Sequence, residues 1–223
     1  MLRSNRYYML ICSLPSLPSR LEVDARPITL ERLQTRIRML EPRDAQELGR
    51  MYEILRWSRQ FEEPDDAAVV KRYDELMQGV TNQLAHEVLT SGMDVRMITA
   101  ALRRRSRGLG PPTIGIGRWV EHIRHHFNQP EFGLTHVFPR IAEYERMLDQ
   151  GDVLNLYRGL LEGTWTYLKR RADDYYFSFE AVVLYVARWN ILRQWQELQA
   201  ERGRSIFETF VTEALREHAN IYP

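Results

Sequence analysis

Apolar residues recur every three or four positions along most of this chain, and that period predicts helices. Thr29 is placed to cap a short helix reaching about Met39. Pro42 sits where a first-turn proline belongs, and Ala45, Leu48, Met51, Tyr52 and Leu55 form one stripe behind it. Residues 62–66 (EEPDD) read as a break and cap. Beyond them Val69, Tyr73, Leu76, Met77, Val80, Leu84 and Val88 share one face of a long helix, which Ser91 and Gly92 end. Asp94 then caps a helix with Val95, Ile98, Ala101 and Leu102 on its apolar side.

The clearest interruption is LGPPTIGIG at 109–117, with two adjacent prolines and three glycines. The chain reads as a single helical domain, 1–223, and any subdomain boundary belongs in the loop 108–117. Helical spacing resumes near Trp119 and runs to about Phe127, followed by a looser stretch at 128–133. Pro139 starts a helix carrying Ile141, Tyr144 and Leu148. Asp152 caps another with Leu156, Leu160, Leu161, Trp165 and Leu168. Ser178 opens the most hydrophobic helix, to about Gln199. Ser205 and Glu208 form a capping-box pattern that opens a last helix, to about His218.

Only the run 7–12 (YYMLIC) reads otherwise, as a short buried strand or extended segment halted by Pro15 and Pro18. Its apolar core is shorter than the roughly 7–15 residues of a secretory h-region, and no small-residue cleavage pattern follows. One strand makes no sheet, so the fold expected is all-α, a multi-helix array with at most one short N-terminal β or extended segment.

Composition narrows the class. The 223 residues are 44% hydrophobic and 27% charged, which are globular values. No apolar run approaches the roughly 20 residues of a membrane span, so a soluble or peripheral protein is expected. A net charge of +1 argues against a dedicated nucleic-acid binder. Cys12, the single cysteine, excludes an intrachain disulfide and suits a reducing compartment; its apolar setting predicts inert burial.

Candidate chemistry is sparse. GPPTIGIG at 110–117 lacks the Lys-Ser/Thr of a phosphate loop and reads as a linker. His122 and His126 stand four residues apart on one helix, a spacing that lets both face a metal ion. Arg124 beside them opposes a cation, and the alternative is a polar flank on buried Trp119, Ile123 and Phe127. Arg103, Arg104, Arg105 and Arg107 form the densest basic patch. It can serve as a solvated helix end favoured by the macrodipole or as a contact for an acidic partner. Residues 178–198 are apolar on nearly every side, so Glu180 and Arg188 need partners there if buried. Trp189 and Trp195 can anchor either a core or an interface. No catalytic or cofactor-binding motif is found.

Several segments together resemble a known family. They are YYMLICSLP at 7–15, ITAALRRR at 98–105, EFGL at 131–134, FSFEAV at 177–182 with Tyr185, and ILRQW at 191–195. This set is similar to domain-of-unknown-function family 2764, bacterial proteins whose genes typically sit among those of V-type ATPase subunits. The family in turn resembles the central-stalk C (or d) subunit, an all-helical socket between rotating stalk and membrane ring. The resemblance implies a non-catalytic cytoplasmic subunit, or an accessory or assembly factor, at the inner face of the cell membrane. Its implied partners are V-type ATPase subunits, met through Arg103, Arg104, Arg105, Arg107, Glu180, Arg188, Trp189 and Trp195. Arg188 stands where the family often has lysine. The alternatives are a helical adaptor or metal-binding protein unrelated to the ATPase.

Overall fold

A helix that is apolar all round must be enclosed, and the stretch after Ser178 is the axis on which the chain is wrapped. The computed structural model describes residues 7–21, 26–57 and 66–219, with side chains in the last helix described through Gln199. Among the described residues there are nine α-helices, one 3-10 turn and no strand, an all-α fold. In chain order these are α1 (Tyr8–Ser13), α2 (Leu30–Ile37), α3 (Pro42–Trp57), α4 (Asp66–Met77) and α5 (Gln83–Ser106). After them come α6 (Val120–His125), the turn Pro130–Gly133, α7 (Ile141–Asp149), α8 (Val153–Ala172) and α9 (Phe179–Ala219).

The helix α8 folds back on α9 through a short link and makes the most extensive pairing in the fold. Leu161, Trp165 and Leu168 of α8 join Val182, Val183, Ile191, Leu192 and Trp195 of α9 in the main core. The other side of that core comes from α3, α4 and the first half of α5, through residues such as Met51, Ile54, Leu76 and Leu89. The second half of α5 supplies a separate cluster, packing Ile98, Ala101 and Leu102 on Ile123, Phe132, Leu134 and Ile141. At 24 residues, or about 36 Å, α5 therefore joins the two clusters.

Three helix starts carry the caps their sequences predict. Thr29 accepts from the Arg32 amide, and Asp152 accepts from the Asn155 amide at 3.2 Å. Pro42 is the first residue of α3.

Other boundaries differ from the sequence expectation. The helix expected from Val69 to Val88 is broken at 78–82, because Asn82 caps α5 by accepting from the Ala85 amide at 3.0 Å. The Glu47 carboxylate, itself buried, accepts from the Thr81 and Asn82 amides and from the Thr81 hydroxyl. Ser91 and Gly92 do not end a helix, and Asp94 does not cap one; all three lie inside α5. Likewise Ser205 lies inside α9, since Gly203 alone costs only about 1 kcal/mol in a helix and no proline enforces a stop. The break expected at 62–66 lies, up to residue 65, outside the described residues.

The run 7–12 is mostly helix, not strand. Tyr7 and Leu10, three apart, both turn inward as helical spacing allows, whereas a short apolar run by itself fits helix or strand equally. The same turn leaves Cys12 exposed, against the expected burial. The Tyr7 amide donates to the Phe177 carbonyl at 2.9 Å. Its phenol donates to Asp44 and accepts from the Glu41 amide, so one residue ties α1 to α3 and to the α8–α9 link.

Burial, then the Asp44 hydrogen bond, pushes the Tyr7 phenol up to about 12. An unfolded tyrosine titrates near 10, so between about pH 10 and 12 the folded state keeps a proton that the unfolded state has lost. Stability present below pH 10 therefore declines as pH rises through that window. Denaturant titrations at pH 9, 10 and 11 should show this decline in the wild type and a shallower one in Tyr7→Phe. Equal slopes would mean that Tyr7 is not the responsible group.

Candidate functional site

The four clustered arginines sit in the last turn of α5 and just beyond it, where Gly108 adopts φ +67° and ends the helix. They do not form one surface. Arg105 turns inward and donates to the carbonyls of Phe127 and Gln129 at 3.1 and 2.8 Å and to Glu145. Its guanidinium also lies 4.3 Å from the centre of the Phe132 ring. Arg105 thereby fastens the tight turn at 130–133, where Glu131, Phe132 and Gly133 all have positive φ. Arg104 donates to the Gly110 carbonyl at 2.8 Å and steadies its own loop. Arg103 and Arg107 are exposed.

The histidines face one another, but not as a chelate. Their rings are stacked 4.1 Å apart at 18°, which points the ring nitrogens along parallel planes. His122 Nε2 donates to the Phe132 carbonyl at 2.9 Å, and His126 Nδ1 donates to the His122 carbonyl at 2.8 Å. Among the described residues no cluster of three or more metal-ligating side chains occurs.

On α9, Glu180 accepts from the Asn82 amide side chain at 2.9 Å. Arg188 lies 4.6 Å over the Trp165 ring and donates to the Pro18 carbonyl at 3.4 Å. Burial lowers the Arg188 guanidinium from its ordinary value, and Asp173 opposes that shift. Trp189 is buried, with its indole N–H donated to the Ile28 carbonyl at 2.9 Å, and Trp195 is buried in the main core. These four hold the fold together from within.

Two surface features outside the expected set stand out. At one corner Tyr8, Met9 and Tyr176 are 58, 74 and 66% exposed, with the Tyr8 ring 4.7 Å from that of Phe177. Elsewhere, α5, α7 and α8 enclose an apolar cleft of about 340 Å³, with Arg118 and Arg140 among its lining residues. Gly92 forms part of its wall, and a Cβ there would meet nothing within 4 Å. A mid-helix glycine costs about 1 kcal/mol against alanine, and no neighbour requires one here.

A family model described as a protein of unknown function, DUF2764, matches residues 62–218. The chain belongs to this family. The DUF2764 span includes 98–105, 131–134, 177–182 with Tyr185, and 191–195, four of the five stretches that carry the resemblance; 7–15 lies before it, yet packs directly on Phe177. No curated protein and no solved structure matches the chain.

Sequence reasoning missed an ion pair between a buried aspartate and an exposed arginine in this DUF2764 protein. Asp94 is fully buried and accepts from the Arg118 amide at 2.6 Å and from its guanidinium at 2.8 and 2.7 Å. The 109–117 loop ends on this contact, and Gly117, at φ +120°, leaves no room for a Cβ beside the Asp94 carboxylate. A fully buried aspartate signals itself in sequence only by standing among apolar neighbours, and Asp94 follows Met93 and precedes Val95.

The split of the arginine cluster gives a direct test. Arg105→Gln removes charged hydrogen bonds at a largely buried site and should cost about 2–4 kcal/mol. Arg103→Gln with Arg107→Gln should stay within about 0.5 kcal/mol. Urea midpoints decide; comparable losses in the two variants would reject the division into inward and outward arginines.

Proposed function

We propose that this protein is a non-catalytic helical subunit, or an accessory or assembly factor, of a bacterial V-type ATPase, positioned between central stalk and membrane ring. The observation that carries the reading is the exposed corner of Tyr8, Met9 and Tyr176. There the two segments on which the resemblance chiefly rests, at 7–15 and 177–182, meet through the Tyr7–Phe177 hydrogen bond. Exposed clustered apolar side chains mark contact surfaces, and tyrosine and methionine are enriched in interface cores. An interface of that kind needs rigid support, and Tyr7 provides it by tying this corner to α3 and to the α8–α9 link.

Arg103 supports the same reading from a second surface. It borders an open apolar groove lined by Val153, Leu154, Tyr157 and Leu198, with Glu197 also on its lining. A groove of this composition suits the apolar face of a partner helix, with arginine and glutamate to set its register. Among the described residues no helix is long and apolar enough to cross a membrane, so contact with the membrane ring runs through other subunits in this reading.

Affinity purification of the tagged protein from its native host, with separate membrane and soluble fractions, tests the proposal. Stoichiometric ATPase subunits in the membrane fraction mark a resident subunit; the same subunits in the soluble fraction alone mark an assembly factor. Their absence from both, with the ATPase expressed, would reject the reading. A Tyr8→Ser, Met9→Ser, Tyr176→Ser variant should lose co-purification by at least about tenfold while keeping its melting temperature.

A further inference from the structure

The cleft between α5, α7 and α8 is built differently from the surfaces above, and nothing in the ATPase reading uses it. Its volume of about 340 Å³ is in the range of small-ligand pockets, which begin near about 300 Å³. Apolar and aromatic walls come from Val95, Ile98, Phe138, Tyr144, Leu160 and Tyr167. Gly92 leaves its part of the wall bare, and a Cβ there would meet nothing within 4 Å.

Its polar equipment is selective. Arg118 is held by buried Asp94, and the Arg140 guanidinium forks onto Glu143 through Nε and Nη2 at 2.7 and 3.1 Å. Each arginine is thus neutralised, and although Arg140 Nη1 also donates to the Gly159 carbonyl at 3.3 Å, a guanidinium has five N–H groups and keeps donors to spare. Glu162, 3.8 Å from Arg140, is itself paired with Arg158 at 2.8 Å, so the surroundings offer hydrogen-bond donors without net positive charge. Thr99 and Thr164 spend their hydroxyl protons on the carbonyls of Val95 and Leu160 and present only lone pairs to other groups. Donors whose charge is already matched by a carboxylate suit a carbonyl oxygen better than an anionic head. The threonine lone pairs suit a ligand hydroxyl.

We infer that this cleft binds an uncharged acyl ester, with its chain between α5 and α8, its carbonyl on the arginine N–H groups and its hydroxyls on the threonines. The inference stands apart from the ATPase reading, and either can fail alone.

Glycerol monodecanoate and decanoate carry the same chain and differ in head charge. Calorimetric titration of the full-length protein near pH 7, below the micellar concentration of each, should show saturable binding of the ester and at least about tenfold weaker binding of the anion. Gly92→Leu fills the cleft and should weaken the ester at least about tenfold, with a melting curve confirming that the variant is folded. Gly92→Ala, the milder change, should remain folded and bind with intermediate affinity. In the wild type, methyl resonances of Ile98 and Leu160 should shift on titration. The proposal is overturned if the ester does not bind, if decanoate binds equally well, or if folded Gly92→Leu binds like the wild type. Loss of ATPase co-purification in Gly92→Leu with no ester binding to the wild type would also overturn it, assigning the cleft to a partner's side chains.

Discussion

The structure depends on hiding a helix that has no polar side. From Phe179 to Trp195, α9 presents apolar residues in nearly every direction, so no single partner helix can cover it. Its antiparallel mate α8 takes one flank; α3, α4 and the start of α5 take another. The third falls to the chain around α2, where Ile28 and Leu33 close over Trp189. Some polar groups caught inside this wrapping are met: the Trp189 indole N–H by a backbone carbonyl, Arg188 by an aromatic face and a carbonyl, Glu180 by Asn82; the Trp165 indole N–H, Arg188 Nε and Asn190 Oδ1 are buried with no hydrogen-bond partner. An unmet polar group in such a place would cost about 1–3 kcal/mol.

Local signals were legible where local chemistry decides. Thr29, Pro42 and Asp152 mark helix starts because a cap or a fixed φ acts within one turn of chain. The signals failed where a distant residue decides. Asn82 wins over Ser91–Gly92 as the break because Glu47, on another helix, collects the amides that the break exposes. Asp94 resembles a cap in sequence, but it lies within α5, buried and paired with the distant Arg118. The capping-box pattern at Ser205 lacked a breaker, and propensity alone carried α9 through it.

The candidate sites follow the same division. The arginine cluster was visible as composition, but helical geometry sends neighbouring residues in different directions, so Arg105 serves the interior while Arg103 and Arg107 face solvent. The histidine spacing was visible too; what it could not show is that backbone carbonyls of Phe132 and His122 engage the ring nitrogens. The cleft left almost no trace. Its key residue, Gly92, reads as a terminator in sequence, and only the packed helices reveal it as an opening.

Tyr7 and Phe177 are 170 positions apart, and the hydrogen bond between them closes the fold at one corner. Tyr185 and Trp189 likewise reach back to Pro15 and Ile28. During synthesis at about 5–20 residues per second, the first helix therefore waits about 10–30 s for the residues that shelter it. Through that interval the Tyr7 amide lacks its partner, while the phenol can already reach Asp44 and Glu41. The order of translation thus separates the two halves of this contact in time, and the corner closes only once Phe177 has been made.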